Sequence, residues 1–211
     1  MPSKPKPSEA QPPDPQASEP QASKSQTHAP ASAPWVFGYG SLMWNPGFPF
    51  QARRKARLGG YERAFCRYSF RHRGTPERPG LVIGLREADG AAGCIGVAYL
   101  PEPAQLAATM ATLDGREGAG YQRVLRPIAL LDGRPEAATA WVYVPNPEHP
   151  SYFGQKDPAQ IVSLILQGHG ESGTAYDYLA AMLGELQKMG VSESELEAML
   201  HAVERQRRTP A

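Results

Sequence analysis

The stretch WVFGYGSLMWNP, residues 35–46, places aromatic side chains and two glycines around Ser41. Its first part, Trp35 to Tyr39, is apolar and aromatic, which favours a buried strand. Gly38 and Gly40 would end that strand. Two interpretations of the glycines are open: they form the loose end of a strand, or a loop that holds a ligand against bare backbone.

The 34 residues at the start of the chain differ in composition from the rest of its 211 residues. They contain nine prolines, six serines and almost no large apolar side chains. Such a segment cannot bury enough surface to offset the entropy of ordering it, so we expect a disordered tail over residues 1–34. We expect one domain with a substantial core over residues 35–206, and a short C-terminal tail at 207–211.

Several classes of protein do not fit this composition. No apolar run has the length of a signal-peptide core or of a membrane span. The formal net charge of +1 predicts no general attraction to nucleic acid or to a membrane. One stretch is locally basic, and we interpret it as solvated faces of strands and loops. Its members are Arg53, Arg54, Lys55, Arg57, Arg63, Arg67, Arg71 and Arg73.

The two cysteines, Cys66 and Cys94, lie far apart and inside apolar runs. This spacing excludes a CxxC metal or redox pair. Buried, reduced thiols are the default in a cytosolic protein, and a disulfide between the two stays open.

Apolar and aromatic runs between turn signals predict further strands. They lie near residues 61–70, 81–87, 93–100, 122–131 and 138–145. The strands at 81–87 and 93–100 flank an Asp89-Gly90 turn, which is typical of a hairpin, and the last two form another pair. Because the connections are mostly short, an antiparallel α+β fold is favoured over a doubly wound parallel sheet.

Helix signals lie between and after these strands. Pro103 opens a helix through about Leu113, and Asp157-Pro158 caps another that continues to about Gly168. A third helix runs from about Thr174 to Met189 and is stopped by Gly190. Ser192 and Glu195 have the spacing of a capping box for a fourth.

Common nucleotide and hydrolase motifs do not explain the glycine loop. Position 43 is Met, so Gly38 and Gly40 do not complete GxGxxG, and no βαβ unit follows. Ser41 is not in a GxSxG elbow, although a Ser–His–acid triad assembled in space stays open. No two histidines have a metal-ligand spacing, so no metal site is predicted.

One acidic residue, Glu117, stands where a predicted helix gives way to Gly118 and Gly120, in the segment TLDGREGAGYQR. A carboxylate beside glycines and before Tyr121 can face a cleft. From the residues alone, however, a solvated loop acid is the preferred interpretation.

Six segments taken together resemble one family, the ChaC-type γ-glutamylcyclotransferases, which act on glutathione. They are WVFGYGSLMWNPGF, HRGTPERPGLVIGL, GVAYL, LDGREGAGY, AWVYV and HPSYFG. They occur in family order and span roughly residues 35–203. The resemblance implies an α+β fold in which helices surround a small mixed or antiparallel β-barrel.

The resemblance also assigns functional residues. The catalytic glutamate falls on Glu117, which reverses the preference for a solvated acid. Arg73 and Tyr143 match substrate-binding positions, while Trp44 and Phe48 are expected to pack. The substrate loop comprises Val36, Phe37, Gly38, Tyr39, Gly40, Ser41 and Leu42.

The implied reaction is intramolecular. The α-amine of the γ-glutamyl group attacks its own γ-carbonyl, 5-oxoproline forms and Cys-Gly leaves. Glu117 would act as general base and then general acid, with a pKa raised by partial burial. The expected partner is glutathione, in the cytoplasm, without metal, organic cofactor, nucleic acid or membrane, and no oligomeric state is predicted. The alternatives are other γ-glutamyl amines or dipeptides as substrates, and a non-catalytic γ-glutamyl-binding regulatory module.

Overall fold

The structure is a computed structural model that describes residues 34–89, 93–133, 136–154 and 157–208. The predicted N-terminal tail lies outside these residues except for Pro34, and Gly90 of the predicted Asp89-Gly90 turn lies outside them too. Of the predicted C-terminal tail, residues 207 and 208 belong to the last helix, and residues 209–211 lie outside the described ranges.

The described residues form strands and helices in a mixed order. The strands are β1 (Trp35–Gly38), β2 (Phe50–Gly59), β3 (Tyr61–Ser69), β4 (Gly80–Glu87), β5 (Gly93–Pro101), β6 (Tyr121–Leu130), β7 (Glu136–Pro145), β8 (His169–Gly170) and β9 (Gly173–Thr174). The helices are α1 (Leu106–Glu117), α2 (Pro158–Gln167), α3 (Ala175–Lys188) and α4 (Ser194–Arg208).

A closed barrel contains β1, β5, β2, β6 and β7 in that order. Neighbouring strands are antiparallel, except that β1 and β7 run in parallel and close the barrel. Val36 lies opposite Tyr99 on one side and Trp141 on the other. The first strand of the domain is therefore paired on both edges, and the predicted α+β fold with a small mixed barrel is confirmed.

Strand pairing differs from the prediction at one place. The strands at 81–87 and 93–100 exist, but they do not pair with each other. β4 pairs with β3, and β5 pairs with β1 and β2. The predicted hairpin is wrong because β2, which the sequence analysis did not identify, takes the edge of β5. The predicted pair of β6 and β7 is confirmed over its whole length.

The helix signals are mostly confirmed. Asp157 caps α2 by accepting a bond from the Ala159 amide at 3.1 Å, and Gly190 follows α3 with a φ of 65°. α1 runs on to Glu117, four residues beyond Leu113. The predicted capping box is wrong, because α4 begins at Ser194 and the Ser192 hydroxyl instead donates to Glu197 at 2.7 Å.

The core joins the barrel interior to the helices that pack on β4. Both cysteines are buried free thiols, as expected. The interpretation of the basic stretch as solvated is wrong for Arg63, because its side chain is 0% exposed. Its Nε donates to the Tyr39 carbonyl at 2.7 Å, and the same guanidinium pairs with Glu193. Arg63 thus supports the segment that leaves β1.

Candidate active site

A cavity of about 710 Å³ opens where β1, β3, α1, β6 and α3 meet. This volume is within the range of roughly 300–1,000 Å³ that is usual for small-molecule sites. Residues that the sequence analysis proposed as functional line it together. They are Tyr39, Gly40, Ser41, Leu42, Arg73, Glu117 and Tyr143.

The other three proposed loop residues lie behind the cavity. Val36 and Phe37 are completely buried in β1, and among the described residues the lining of the loop starts at Tyr39. A Cβ added to Gly38 would lie 2.8 Å from the Leu42 Cβ, so this glycine allows the chain to turn back on itself. Val36, Phe37 and Gly38 therefore do not line the cavity. They belong to a barrel strand, and the side chains of Val36 and Phe37 are part of the core.

The loop after β1 forms a 3-10 turn over Ser41–Met43, closed by a bond from the Met43 amide to the Gly40 carbonyl at 2.9 Å. A Cβ on Gly40 would lie 3.0 Å from the Tyr178 hydroxyl oxygen. Glycine at this position therefore lets the backbone approach α3 closely. The start of such a turn carries amides with no partner inside the turn.

Glu117 is the last residue of α1, and Gly118 follows it with a φ of 65°. The positive φ breaks the helix at a position where most residues would be strained. The Glu117 side chain is only 16% exposed. Burial raises its pKa, against the opposing charges of Arg116 and Arg67, which confirms the expected direction.

Three tyrosines of the cavity lining interact electrostatically with this carboxyl. Burial, and then electrostatic interactions that include the Glu117 charge, raise the pKa of Tyr39, Tyr121 and Tyr178. All three therefore stay protonated near neutral pH. Tyr178 was not identified from the sequence, because a tyrosine on the apolar face of a helix has the pattern of an ordinary core residue.

Two arginines stand close to Glu117. Arg116 donates from Nη2 to Ser41 Oγ at 2.8 Å and from Nη1 to the Asn45 carbonyl at 2.8 Å. Its Nε lies 3.7 Å from Glu117 Oε1. One side chain therefore joins the glycine loop to the end of α1.

Arg67 holds the segment that follows Glu117. Its Nη1 donates to the Gly120 carbonyl and to Ser151 Oγ, both at 2.7 Å. Its guanidinium carbon lies 4.2 Å from the centroid of the Tyr121 ring. The buried Nε has no hydrogen-bond partner among the described residues. Because Arg67 lies in the basic stretch on β3, no local signal marked it as a site residue.

The Tyr143 hydroxyl is already engaged. It donates to Asp114 Oδ1 at 2.7 Å, and the other oxygen of Asp114 pairs with Arg123 at 3.0 Å. Asp114 lies one helical turn before Glu117. In this geometry Tyr143 fixes α1 to the barrel rather than offering its proton to a ligand.

The aromatic residues Trp44 and Phe48 differ from each other. Phe48 is buried and packs edge-on against Tyr99, with ring centroids 5.8 Å apart, as expected. Trp44 lines the cavity and also packs on Tyr178 at 5.8 Å. Trp44 is therefore both a packing residue and part of the wall.

Among the described residues of the cavity lining, Ser41 is not paired with a histidine as in a serine hydrolase. Ser41 Oγ accepts its bond from Arg116. The histidines of the lining have other partners: His72 Nδ1 is 3.0 Å from Ser172 Oγ, and His149 Nδ1 is 2.7 Å from Ser151 Oγ. Over the described ranges, no group of three or more potential metal-ligating side chains is present. Within the same ranges, none of the helices has the length and apolar character needed to cross a bilayer.

A mostly buried carboxyl beside a loop with two glycines, next to a small barrel, is an arrangement suited to acid–base chemistry on a small polar ligand. The sequence profile of the ChaC-like protein family matches residues 34–206, and the chain belongs to that family.

Known proteins of similar sequence and structure agree with this assignment. The chain is 36% identical over 174 residues to the glutathione-specific γ-glutamylcyclotransferase of Escherichia coli K12, covering 81% of this chain and 73% of that one. It is 34% identical to glutathione-specific γ-glutamylcyclotransferase 1 of Rattus norvegicus, covering 80% and 78%. A crystal structure of the glutathione-specific enzyme from yeast superposes with a TM-score of 0.76 at 25% identity, covering 82% of this chain and 96% of that one.

Proposed function

We propose that this chain is a glutathione-degrading γ-glutamylcyclotransferase, with residues 35–206 as a single catalytic domain. The observation that carries the proposal is the position of Glu117: its carboxyl is mostly buried, lines the cavity and is joined through Arg116 to the loop at Ser41. The names of the relatives supply the substrate. The two free thiols suit the reducing conditions of the cytoplasm.

The reaction begins with proton transfer. Simple α-amino groups have a pKa of about 8, so the attacking amine arrives mainly as ammonium. Ionised Glu117 accepts a proton from it, and the free amine attacks the γ-carbonyl carbon. The upward shift in the Glu117 pKa makes the carboxylate a stronger base than a solvated glutamate.

Collapse of the tetrahedral intermediate breaks the original amide bond. Glu117 returns the first proton to the departing nitrogen and then removes the second proton from the attacking nitrogen as the lactam 5-oxoproline forms. The released Cys-Gly takes up that second proton and leaves as its ammonium. Atoms balance without water, and the carboxyl ends in its starting state. One group therefore serves as both base and acid.

Negative charge develops on the γ-carbonyl oxygen during attack. The amides at the start of the Ser41–Met43 turn are suited to this charge, because the turn itself does not use them. A fixed donor of this kind contributes on the order of 3 kcal/mol to transition-state stabilisation. Close approach of the substrate is possible because Gly40 presents no side chain.

The test is to incubate the purified protein with glutathione and measure 5-oxoproline and Cys-Gly by mass spectrometry. Glu117→Gln protein is the matched control, and only the wild type is expected to make product. Faster turnover of γ-glutamyl-alanine than of glutathione would favour the broader substrate class. Tight binding of glutathione without product would favour a non-catalytic binding module.

A further inference from the structure

The charges around the cavity are unbalanced. Its described lining contains four arginines, Arg67, Arg71, Arg73 and Arg116, whereas Glu117 is the one acidic side chain in that lining. A cavity of this composition favours a ligand that carries more negative than positive charge.

Two of the arginines belong to the end of the cavity that contains Glu117. Arg116 Nε lies 3.7 Å from the carboxyl, and Arg67 bonds the Gly120 carbonyl three residues further on. The charges of both lower the Glu117 pKa in opposition to burial. These are the cations within electrostatic reach of the proposed base.

Arg73 has other contacts than Arg67 and Arg116. Its Nη1 donates to the Thr174 carbonyl at 3.1 Å, and its guanidinium carbon is 5.7 Å from the Tyr178 ring centroid. Burial is the main cause that lowers its pKa, and Tyr178 and Asp177 are the groups whose charges oppose this. Its contacts are therefore at the β9–α3 junction, and it is not among the groups whose charges shift the Glu117 pKa.

The Arg73 charge has no ion-pair partner among the described residues. It is half-buried, so part of its hydration has been lost without a carboxylate to replace it. Neighbouring Arg71, by contrast, is mostly exposed and pairs with Glu171 at 2.8 Å. Arg67 has no ion pair within the same ranges either, but its charge already acts on Glu117. Arg73 is therefore an unpaired cation of the lining that is free to take an anionic ligand group.

The backbone of Arg73 is held tightly in place. A Cβ on Gly80 would overlap its carbonyl oxygen, and one on Gly168 would lie 2.5 Å from the same atom. The amide of Ser172 donates to the neighbouring His72 carbonyl at 2.9 Å. The bond from Nη1 to the Thr174 carbonyl also restricts the side chain, so that less conformational entropy is left to lose when the guanidinium binds a carboxylate.

The proposed reaction sets the direction of the substrate. The α-amine must reach Glu117, and the α-carboxylate is attached to the same carbon, so both lie at the end of the cavity near Arg67 and Arg116. The peptide has a second carboxylate at its C-terminus, about 10 Å away for three extended residues. We propose that Arg73 binds this C-terminal carboxylate and thereby selects γ-glutamyl peptides that end in a free acid. The inference rests on the proposed function. The alternative is that Arg73 binds the α-carboxylate of the γ-glutamyl group.

A cycle of two proteins and two substrates tests the inference. Wild type and Arg73→Gln are each assayed for 5-oxoproline from glutathione and from its glycyl monoethyl ester, in which the C-terminal carboxylate is neutral. Loss of a charge-assisted bond is expected to lower the wild-type kcat/KM about 10- to 100-fold on esterification. Arg73→Gln should be slow on glutathione by a similar factor and should no longer distinguish the two substrates.

An α-carboxylate role predicts another pattern. Arg73→Gln would then slow both substrates by the same factor and keep the wild-type ratio, which would overturn the inference. Arg71→Gln is the neighbouring control, in which the wild-type ratio is expected to persist. Arg73→Lys should keep part of the discrimination, because it keeps the charge but not the two-point geometry.

Calorimetry with Glu117→Gln protein separates the two proposals. Tighter binding of glutathione than of its ester, together with a wild type that makes no product, would overturn the proposed function and support the role of Arg73. Equal binding of both ligands by a protein that turns over glutathione would overturn the role of Arg73 alone.

Discussion

Arg116 Nη2 donates a hydrogen bond to Ser41 Oγ at 2.8 Å, across 75 residues of sequence. The residue after Arg116 is Glu117, whose carboxyl lies 3.7 Å from Arg116 Nε. The loop that follows β1 and the carboxyl at the end of α1 are therefore held in register by one side chain. Precise placement of reacting groups matters, because a displacement of about 1 Å can reduce a rate roughly 100-fold.

Replacing Glu117 by Gln is expected to remove turnover while keeping the fold. The amide is nearly isosteric but cannot accept and return a proton. We therefore expect kcat to fall by on the order of 10²–10⁴-fold, which is the contribution typical of a general acid–base group. Release of 5-oxoproline and circular dichroism measure the two effects. A variant that retains near-wild-type kcat would show that another group carries the proton.

The same substitution is expected to raise stability at neutral pH. The raised Glu117 pKa means that the folded chain holds this proton at pH values where the unfolded chain has lost it. The contribution of this group to stability therefore falls as pH rises from the ordinary glutamate value through the raised folded value. Thermal unfolding should show a higher Tm for Glu117→Gln at pH 7, with the difference vanishing in acid below both pKa values. A lower Tm at pH 7 would contradict this account.

Arg67 is expected to set the pH at which activity appears. Glu117 must be ionised to act as a base, so kcat/KM rises as pH passes through its pKa. Removing the Arg67 charge in Arg67→Gln should raise that pKa and move the acid limb to higher pH.

Arg67→Lys is the matched control, since it keeps the charge. The other groups that face Glu117 are Arg116, Tyr39, Tyr121 and Tyr178, and they are unchanged in both variants. A purely structural role for Arg67 would lower the rate at every pH without moving the limb.

Gly38→Ala is expected to disturb the loop. Its new methyl would lie 2.8 Å from the Leu42 Cβ, too close for the present turn. Overpacking of this kind costs about 1–3 kcal/mol, and kcat/KM should fall because the turn must shift. Gly184→Ala in α3 meets nothing within 4 Å and should instead stabilise the chain by about 0.5–1 kcal/mol. Urea titration of both variants measures the difference, and equal midpoints would be inconsistent with the predicted overlap.

Tyr143→Phe separates two roles for this hydroxyl. Because the hydroxyl donates to Asp114, its loss should cost about 0.5–1.5 kcal/mol of stability and lower kcat through the placement of α1. A direct contact with bound substrate would instead raise KM with little change in stability. Denaturant unfolding and steady-state kinetics on the same preparation distinguish the two results.

Neither cysteine is expected to react in the folded protein. Burial raises the pKa of Cys66 to about 11 and that of Cys94 to about 12, so almost no thiolate is present near neutral pH. Both thiols should label with a maleimide only after denaturation. Fast labelling of the native protein would reveal an opening that exposes β3 or β5.

Local signals predicted those elements whose information is local. The Asp157 cap, the Gly190 stop and the apolar runs of β6 and β7 needed no knowledge of the rest of the chain. β2 was not predicted because it reads FQARRKARLG, with charges on positions that face solvent or other charges. Without β2, the sequence offered β4 as the nearest partner for β5, and the hairpin prediction was wrong.

The candidate site shows the same limit. Glu117 gained its assignment only from the resemblance, because its own neighbours are equally typical of a surface loop. Arg67 and Tyr178 come from β3 and α3 and reach the carboxyl through tertiary packing alone. Residue type alone does not distinguish a buried arginine from an exposed one. The basic stretch therefore gave no indication that Arg63, Arg67 and Arg73 point inward.

The pairing of the Arg71–Arg73 segment with residues 171–174 has a consequence for biosynthesis. The Arg71 carbonyl accepts from the Glu171 amide at 2.9 Å, and Arg73 donates to the Thr174 carbonyl. All barrel strands have been synthesised once translation has passed Pro145. One wall of the cavity also needs residues 171–174, which follow their partners in the Arg71–Arg73 segment by about a hundred residues. A chain truncated before α2 would contain every barrel strand but would lack the segment 171–174, which supports this wall of the cavity.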